Sequence, residues 1–507
     1  MLSVIFGKKS DHPLADIKST QALLDNLPKN DAYRSLLELT DLIESVTEQT
    51  DFKLDQRFAV LCLLDETAQP YARKLAREYF TPFELNKFQE NRLWLALSNF
   101  SQRTANAYYS AFNRYCDSAK GSNAIKTQLP LLTTRTVHAL MWQLKYICAR
   151  YRQVDNTTWT NLVRLYKHAE QLQYLNTSVT LYPGMTNSTS VTYEIGHLFV
   201  WYDCGLNALN PLHMHLTERL LAQCSSTINI HKEISGQSRL YFDLNCPAEP
   251  ARINMGATTH PAMRFIGMPA MRDKMEDLMK ALNKNIVPND LALYGNYDAE
   301  VVKKAAQYLL SYLISPPVRR KTRHMANVTL NVLNSFDKVF ARSHAGLEFN
   351  NEEPAYWLTE DISIGGFSST LPKGSESIGI GSLLGIQPEG MSHWGVAVVR
   401  RLLSDGENQL RAGAEILANQ VAGVFLNQSN SQRGNVQPAL WLYPKQGEIA
   451  DGHQLLLMKT DTFSATRSLK TQLNGKSYLL IPAGLQEKGL DYDLAKFKLI
   501  EQEVSID

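Results

Sequence analysis

The sequence predicts a multidomain α+β protein: a helical N-terminal region (bundle or short helical repeat array), then a small antiparallel β-barrel and a β-rich C-terminal module. Three observations predict it. Apolar residues recur at three- and four-residue spacing through roughly the first two hundred residues. Two prolines, Pro316 and Pro317, then end a helical run. Beyond them the chain breaks into short stretches of branched and aromatic residues separated by turn signals, the texture of a small barrel. At 507 residues the chain is too long for one core, and ~150 residues per domain gives about three.

The helical region covers residues 1–225. Its pattern is clearest in LDQRFAVLCLLDETAQPYARKLAREYF (54–80) and TVHALMWQLKYICARYRQV (136–154). Trp159, Leu162 and Tyr166 match the opening of a tetratricopeptide repeat, but no second copy stands in register. A bundle and a repeat array therefore both stay open. Residues 226–315 mix strand and helix. SRLYFDLNCPAEPARINM reads as a strand pair, and 269–285 and 298–315 read as amphipathic helices. The second puts Val302, Ala305, Ala306, Leu309, Leu310 and Leu313 on one face, with Asp298 as its N-cap. Pro316 and Pro317 stop it, because neither can donate to the helical ladder. The barrel is expected over 316–425, and 426–507 forms a second β module or an extension of the first.

Composition excludes several classes. A net charge of +2 gives no global attraction to nucleic acid or to an acidic surface, so any anion site must be local. The longest apolar runs are too short to span a bilayer, so no membrane insertion is expected. Six scattered cysteines without a C-x-x-C pair read as reduced thiols, and the expected location is cytoplasmic. His213 and His215, with His197 and His231 nearby, lack a ligand-spaced partner, so no metal is expected. The glycines of GIGSLLG (379–385) have the wrong spacing for a dinucleotide fingerprint. With no nucleophile elbow or phosphate loop either, the chain reads as a non-enzyme without a cofactor.

Two short stretches carry the chemistry. The first, PPVRRKTRH (316–324), follows the helix stop with four cations. Arginine offers a planar fork of donors that fits a phosphate, or the O6/N7 edge of guanine, and it also stacks on rings. The second, DISIGGF (361–367), is strand-like. There Asp361 and Ser363 share a face, because strand side chains alternate. Together they can accept and donate along the N–H edge of a guanine. Gly365 and Gly366 allow close approach of a flat base. Of Arg400 and Arg401, strand alternation lets at most one face the same ligand. Trp394 belongs in a barrel core rather than on a base.

Arg319-x-x-x-Arg323 followed by Asp361-x-Ser363-x-x-Gly366 on a small barrel resembles the PilZ domain, the bacterial receptor module for cyclic di-GMP. The resemblance covers about residues 315–425. It implies a six-stranded barrel whose arginine loop, with Arg319, Arg320 and Arg323, folds over cyclic di-GMP. It further implies that Asp361 and Ser363 contact a guanine beside Gly365 and Gly366. Arg323 and Asp361 stand farther apart than in compact members, and SFDKVFARSHAGLEFNNEEP (335–354) reads as an insertion that caps the pocket or contacts the helical part. The expected function is then a cyclic-di-GMP receptor that reorients its helical region to signal to a protein partner. The alternative is an interaction module with a degenerate barrel that binds no nucleotide. Single-stranded nucleic-acid binding is disfavoured by the near-neutral charge.

Overall fold

The structure is a computed structural model. It describes residues 12–502 apart from 50, 82–84, 255–257, 315–323, 345–352, 364, 373, 376, 405–408, 429–435 and 445–451. The chain divides into two units, Met1–Pro317 and Val318–Asp507.

In the first unit eight helices come in succession: α1 (Ile17–Asp25), α2 (Ala32–Glu48), α3 (Leu54–Phe80), α4 (Lys87–Cys116), α5 (Leu129–Cys148), α6 (Asn156–Gln171), α7 (Val191–Asp203) and α8 (Pro211–Cys224). Short polar side chains set several starts. Asp16, Asp31 and Ser190 each accept from the backbone N–H three residues on, and Asn86 and Gln89 form a reciprocal capping box. Helix α4 packs on α2, α3 and α5, which is bundle packing rather than a stack of matched pairs. The residues that resembled a repeat, Trp159, Leu162 and Tyr166, are core residues. Trp159 meets Tyr202 edge-on at 4.7 Å, and Tyr166 meets Phe242 at 5.1 Å.

The mixed region is a four-stranded antiparallel sheet, ordered β1 (Asn229–His231), β4 (Met263–Gly267), β2 (Ser238–Asp243) and β3 (Ala251–Arg252). Strands β2 and β3 are the expected pair, joined at Leu240↔Arg252 and Tyr241↔Ala251. Helices α9 (Met271–Leu282) and α10 (Ala299–Ile314) follow. The α10 face of Val302, Ala305, Ala306 and Leu309 is buried as its spacing requires.

Several polar groups inside this unit are engaged with one another. Lys145 Nζ donates to Glu218 Oε2 and lies against His215 Nδ1, both at 2.7 Å. Arg135 donates to Glu66 at 2.6 Å and to the Leu181 carbonyl at 2.8 Å. His213 lies 2.8 Å from Asn210 Oδ1. The histidines thus separate onto different partners, and among the described residues no His, Cys, Asp or Glu cluster could hold a metal.

The second unit contains two six-stranded rings. The first uses β6 (Thr329–Asn334), β7 (Ala355–Ser363), β8 (Gly366–Thr370), β9 (Leu383–Pro388), β10 (Gly395–Ser404) and β11 (Leu410–Ala418). Its order is β7-β6-β9-β10-β11-β8, closed by β7 pairing with β8, and β5 (His324–Met325) lies against β7. The second is a closed barrel of β12 (Val421–Gln428), β13 (Gln437–Leu442), β14 (His453–Lys459), β17 (Tyr492–Gln502), β16 (Lys476–Lys488) and β15 (Leu469–Leu473). The chain passes from one ring to the other through residues 419–420 alone.

Leu333, Leu383, Val396 and Val398 of the first ring meet Leu440, Leu442, Leu457 and Leu494 of the second in one core. Helix α11 (Phe336–Ser343) comes from the insertion noted in the sequence. It contributes Phe336, Val339 and Phe340 to that core, and Phe340 meets Phe425 at 5.3 Å. Trp394 joins the same cluster. It is a core tryptophan, as expected, although the core is the one between the rings.

Candidate functional site

Strands β7 and β8 form a hairpin. Their register runs Asp361↔Ser368, Ile362↔Phe367 and Ser363↔Gly366, and the irregularity lies earlier, between Thr359 and Asp361. Regular pairing from Asp361 onward puts Asp361 and Ser363 on one face, with Ile362 on the other. The Ile362 side is the interior. Its row continues through Phe367, Ala414 and Val399, of which Phe367 and Val399 are wholly buried. Asp361 and Ser363 therefore stand half-buried on the outer surface of the ring.

The hairpin end is tight. Ser363 Oγ donates to the Gly366 carbonyl at 3.1 Å. A Cβ on Gly366 would sit 2.3 Å from the Ala414 carbonyl oxygen, so only glycine lets β8 lie against β11 there. Gly365 is half-buried, and its carbonyl accepts from the Ile416 N–H at 3.0 Å.

Arg319, Arg320 and Arg323 lie outside the described residues. The chain immediately after them does not. His324 pairs with Ile362, and Met325 pairs with Asp361. Thr359 Oγ1 donates to the Ala326 carbonyl at 2.7 Å and accepts from the Val328 N–H at 2.9 Å. The residue next to Arg323 is thus hydrogen-bonded into the strand that carries Asp361 and Ser363.

Neighbouring ion pairs frame this face. Arg411 Nε lies 2.9 Å from Glu360, which also accepts from Thr370 Oγ1 at 2.5 Å. Arg400 donates from Nε to Glu415 at 2.8 Å and from its two terminal nitrogens to Glu487 at 2.6 and 2.7 Å. Burial works against the Glu487 carboxylate, but the Arg400 and Tyr492 hydrogen bonds outweigh it and hold it below the usual carboxylate range. An irregularity between Val399 and Arg401 takes Arg400 out of the regular ladder, where Glu415 and Glu487 hold it. Arg401 returns to the regular register and pairs with Gly413.

The fold defines a helical unit joined in sequence to a double β-barrel with a polar, glycine-lined outer face. Residues 18–234 match the model of a family described as the N-terminal domain of the cyclic-di-GMP receptor FimW. The match runs from α1 to just past β1, less than half the chain, in the part for which the sequence had offered no family. That family is not PilZ, yet its description names the ligand that the barrel motifs suggest. No curated protein and no solved structure matches the chain. Among the described residues no helix is long and apolar enough to cross a membrane.

Proposed function

We propose that this protein is a cyclic-di-GMP receptor and effector whose first barrel is a PilZ-like binding module. Its ligand is the dinucleotide itself, held without metal or other cofactor. Asp361 and Ser363 meet a guanine N–H edge, Gly365 and Gly366 let the base approach the backbone, and Arg319, Arg320 and Arg323 take phosphates and stack on the bases. The observation that carries this reading is the pairing of His324 and Met325 with Ile362 and Asp361. It supports bringing the arginine segment to the DISIGG strand despite the long insertion between them. The FimW family match in the helical unit supports the same ligand from a separate part of the chain.

In this reading ligand phosphates neutralise the cations of the arginine segment, and the helical unit passes the change to a protein partner. Neither catalysis nor nucleic-acid binding is part of it. The unpaired state of Cys62, Cys116, Cys148, Cys204 and Cys246 supports a cytoplasmic setting.

Calorimetric titration of cyclic di-GMP into the full chain tests the proposal, with Arg323→Ala and Asp361→Ala beside it. Micromolar or tighter binding is expected, abolished in the arginine variant and weakened about tenfold or more in the aspartate variant, as for a lost charged hydrogen bond. A folded wild-type chain that gives no heat would leave an interaction module that binds no nucleotide.

A further inference from the structure

The row that holds Asp361 continues across four strands. Asp361 pairs with Ser368, Ser368 with Gly413, and Gly413 with Arg401. Directly opposed residues share a face, so these four lie in line on the outer surface of the ring. Three strand spacings of about 4.8 Å separate the backbones of Asp361 and Arg401 by about 14 Å. Between them the floor is low, with Ser368 buried at the bottom and Gly413 bearing no side chain. A carboxylate bounds one end and a guanidinium the other.

The cations nearest this row differ in their freedom. Arg411 is held by Glu360, and Arg400 by Glu415 and Glu487. Arg401 is exposed and makes no hydrogen bond or ion pair among the described residues. Its planar fork has donors to offer at the far end of a slot whose near end accepts.

Guanine is the base with that polarity. Its N1–H and N2–H₂ donate along one edge, and O6 and N7 accept along another. Adenine presents an N6–H₂ donor where guanine has O6, so both ends of the slot would be mismatched. Resting on the reading of the barrel as a cyclic-di-GMP site, we infer that Arg401 is a specificity-determining ligand contact. It donates to the O6/N7 edge of a guanine lying over Ser368 and Gly413, while Asp361 takes the N–H edge of the same base.

The experiment compares cyclic di-GMP with its 7-deazaguanine analogue, which lacks the N7 acceptor, on wild type, Arg401→Ala and Gly413→Leu. Thermal melting of each variant establishes that it is folded. Wild type should bind the analogue more weakly than the natural ligand. Arg401→Ala should weaken cyclic di-GMP about 5- to 150-fold and bind the two ligands alike, the effect of losing one bidentate base contact. Gly413→Leu should block both by filling the slot. Wild-type affinity in Arg401→Ala, or an undiminished preference for the natural ligand, overturns the role of Arg401 and leaves the receptor reading intact. Failure of the wild-type chain to bind cyclic di-GMP overturns both.

Discussion

Gly366 is fixed by its neighbour's backbone. The Ala414 carbonyl oxygen occupies the space a Cβ would need, so Gly366→Ala should force β8 and β11 apart. A loss of about 1–3 kcal/mol is expected, the usual cost of overpacking, and a denaturant titration that finds no loss would refute the close approach. The residue scale also separates what could be read from the sequence and what could not. Asp361, Ser363 and Gly366 were visible because their residue types and spacing are informative in themselves. Arg401 was visible only as one of two candidates with Arg400, because alternation along a strand is legible but the irregularity that shifts Arg400 out of register is not. Ser368 and Gly413 were silent. A serine and a glycine mean little until pairing sets them beside Asp361 and Arg401.

Among the elements, α11 is the informative surprise. The sequence identified its residues as an insertion but offered two roles, capping a pocket or contacting the helices. Its apolar side instead lies in the core between the two rings, with Phe336, Val339 and Phe340 all buried there. Periodicity announces that a short helix has an apolar face, and cannot say which of several surfaces that face covers. Phe336→Ala should cost about 3–5 kcal/mol, as for other large-to-alanine changes in a core. Because the cluster is common to both rings, hydrogen exchange should rise in β10 and in β14 together. A rise confined to the first ring would contradict the shared core. The strands around α11 were largely legible from their branched and aromatic runs, whereas β12 and β15, whose runs are weaker, emerged only from their pairing in the closed barrel.

At the scale of the whole molecule, four buried or half-buried histidines of the helical unit predict acid sensitivity. Burial lowers His168, His197 and His215, and together with Lys304 it brings His213 down to about 4. In the unfolded chain these rings take up protons from about pH 6.5. Between about 6.5 and 4 the unfolded state therefore binds more protons, so stability is fully present above about 6.5 and is lost as pH falls toward 4. Calorimetric scans at pH 7.5, 6 and 5 should show a transition that moves down with pH, and a transition indifferent to pH would contradict the neutral burial of these rings. The division into helices and β-structure was readable from the change in period after Pro317. A first barrel was expected from the short strands and the PilZ resemblance, but the closure of the tail into a second, separate ring was not readable, since closure depends on pairings between strands far apart in sequence.

The shared core has a consequence for how this chain can have been assembled. Only Asn419 and Gln420 connect the rings, a join that would suit a cut-and-paste boundary. Yet the outer wall of the first ring carries Leu333, Leu383, Val396 and Val398 against the second. A gene segment ending at that join would encode a ring with an uncovered greasy wall, prone to clump rather than to travel into new proteins. The two rings are therefore one heritable cassette: a change that remodels the wall of either must be answered in the other.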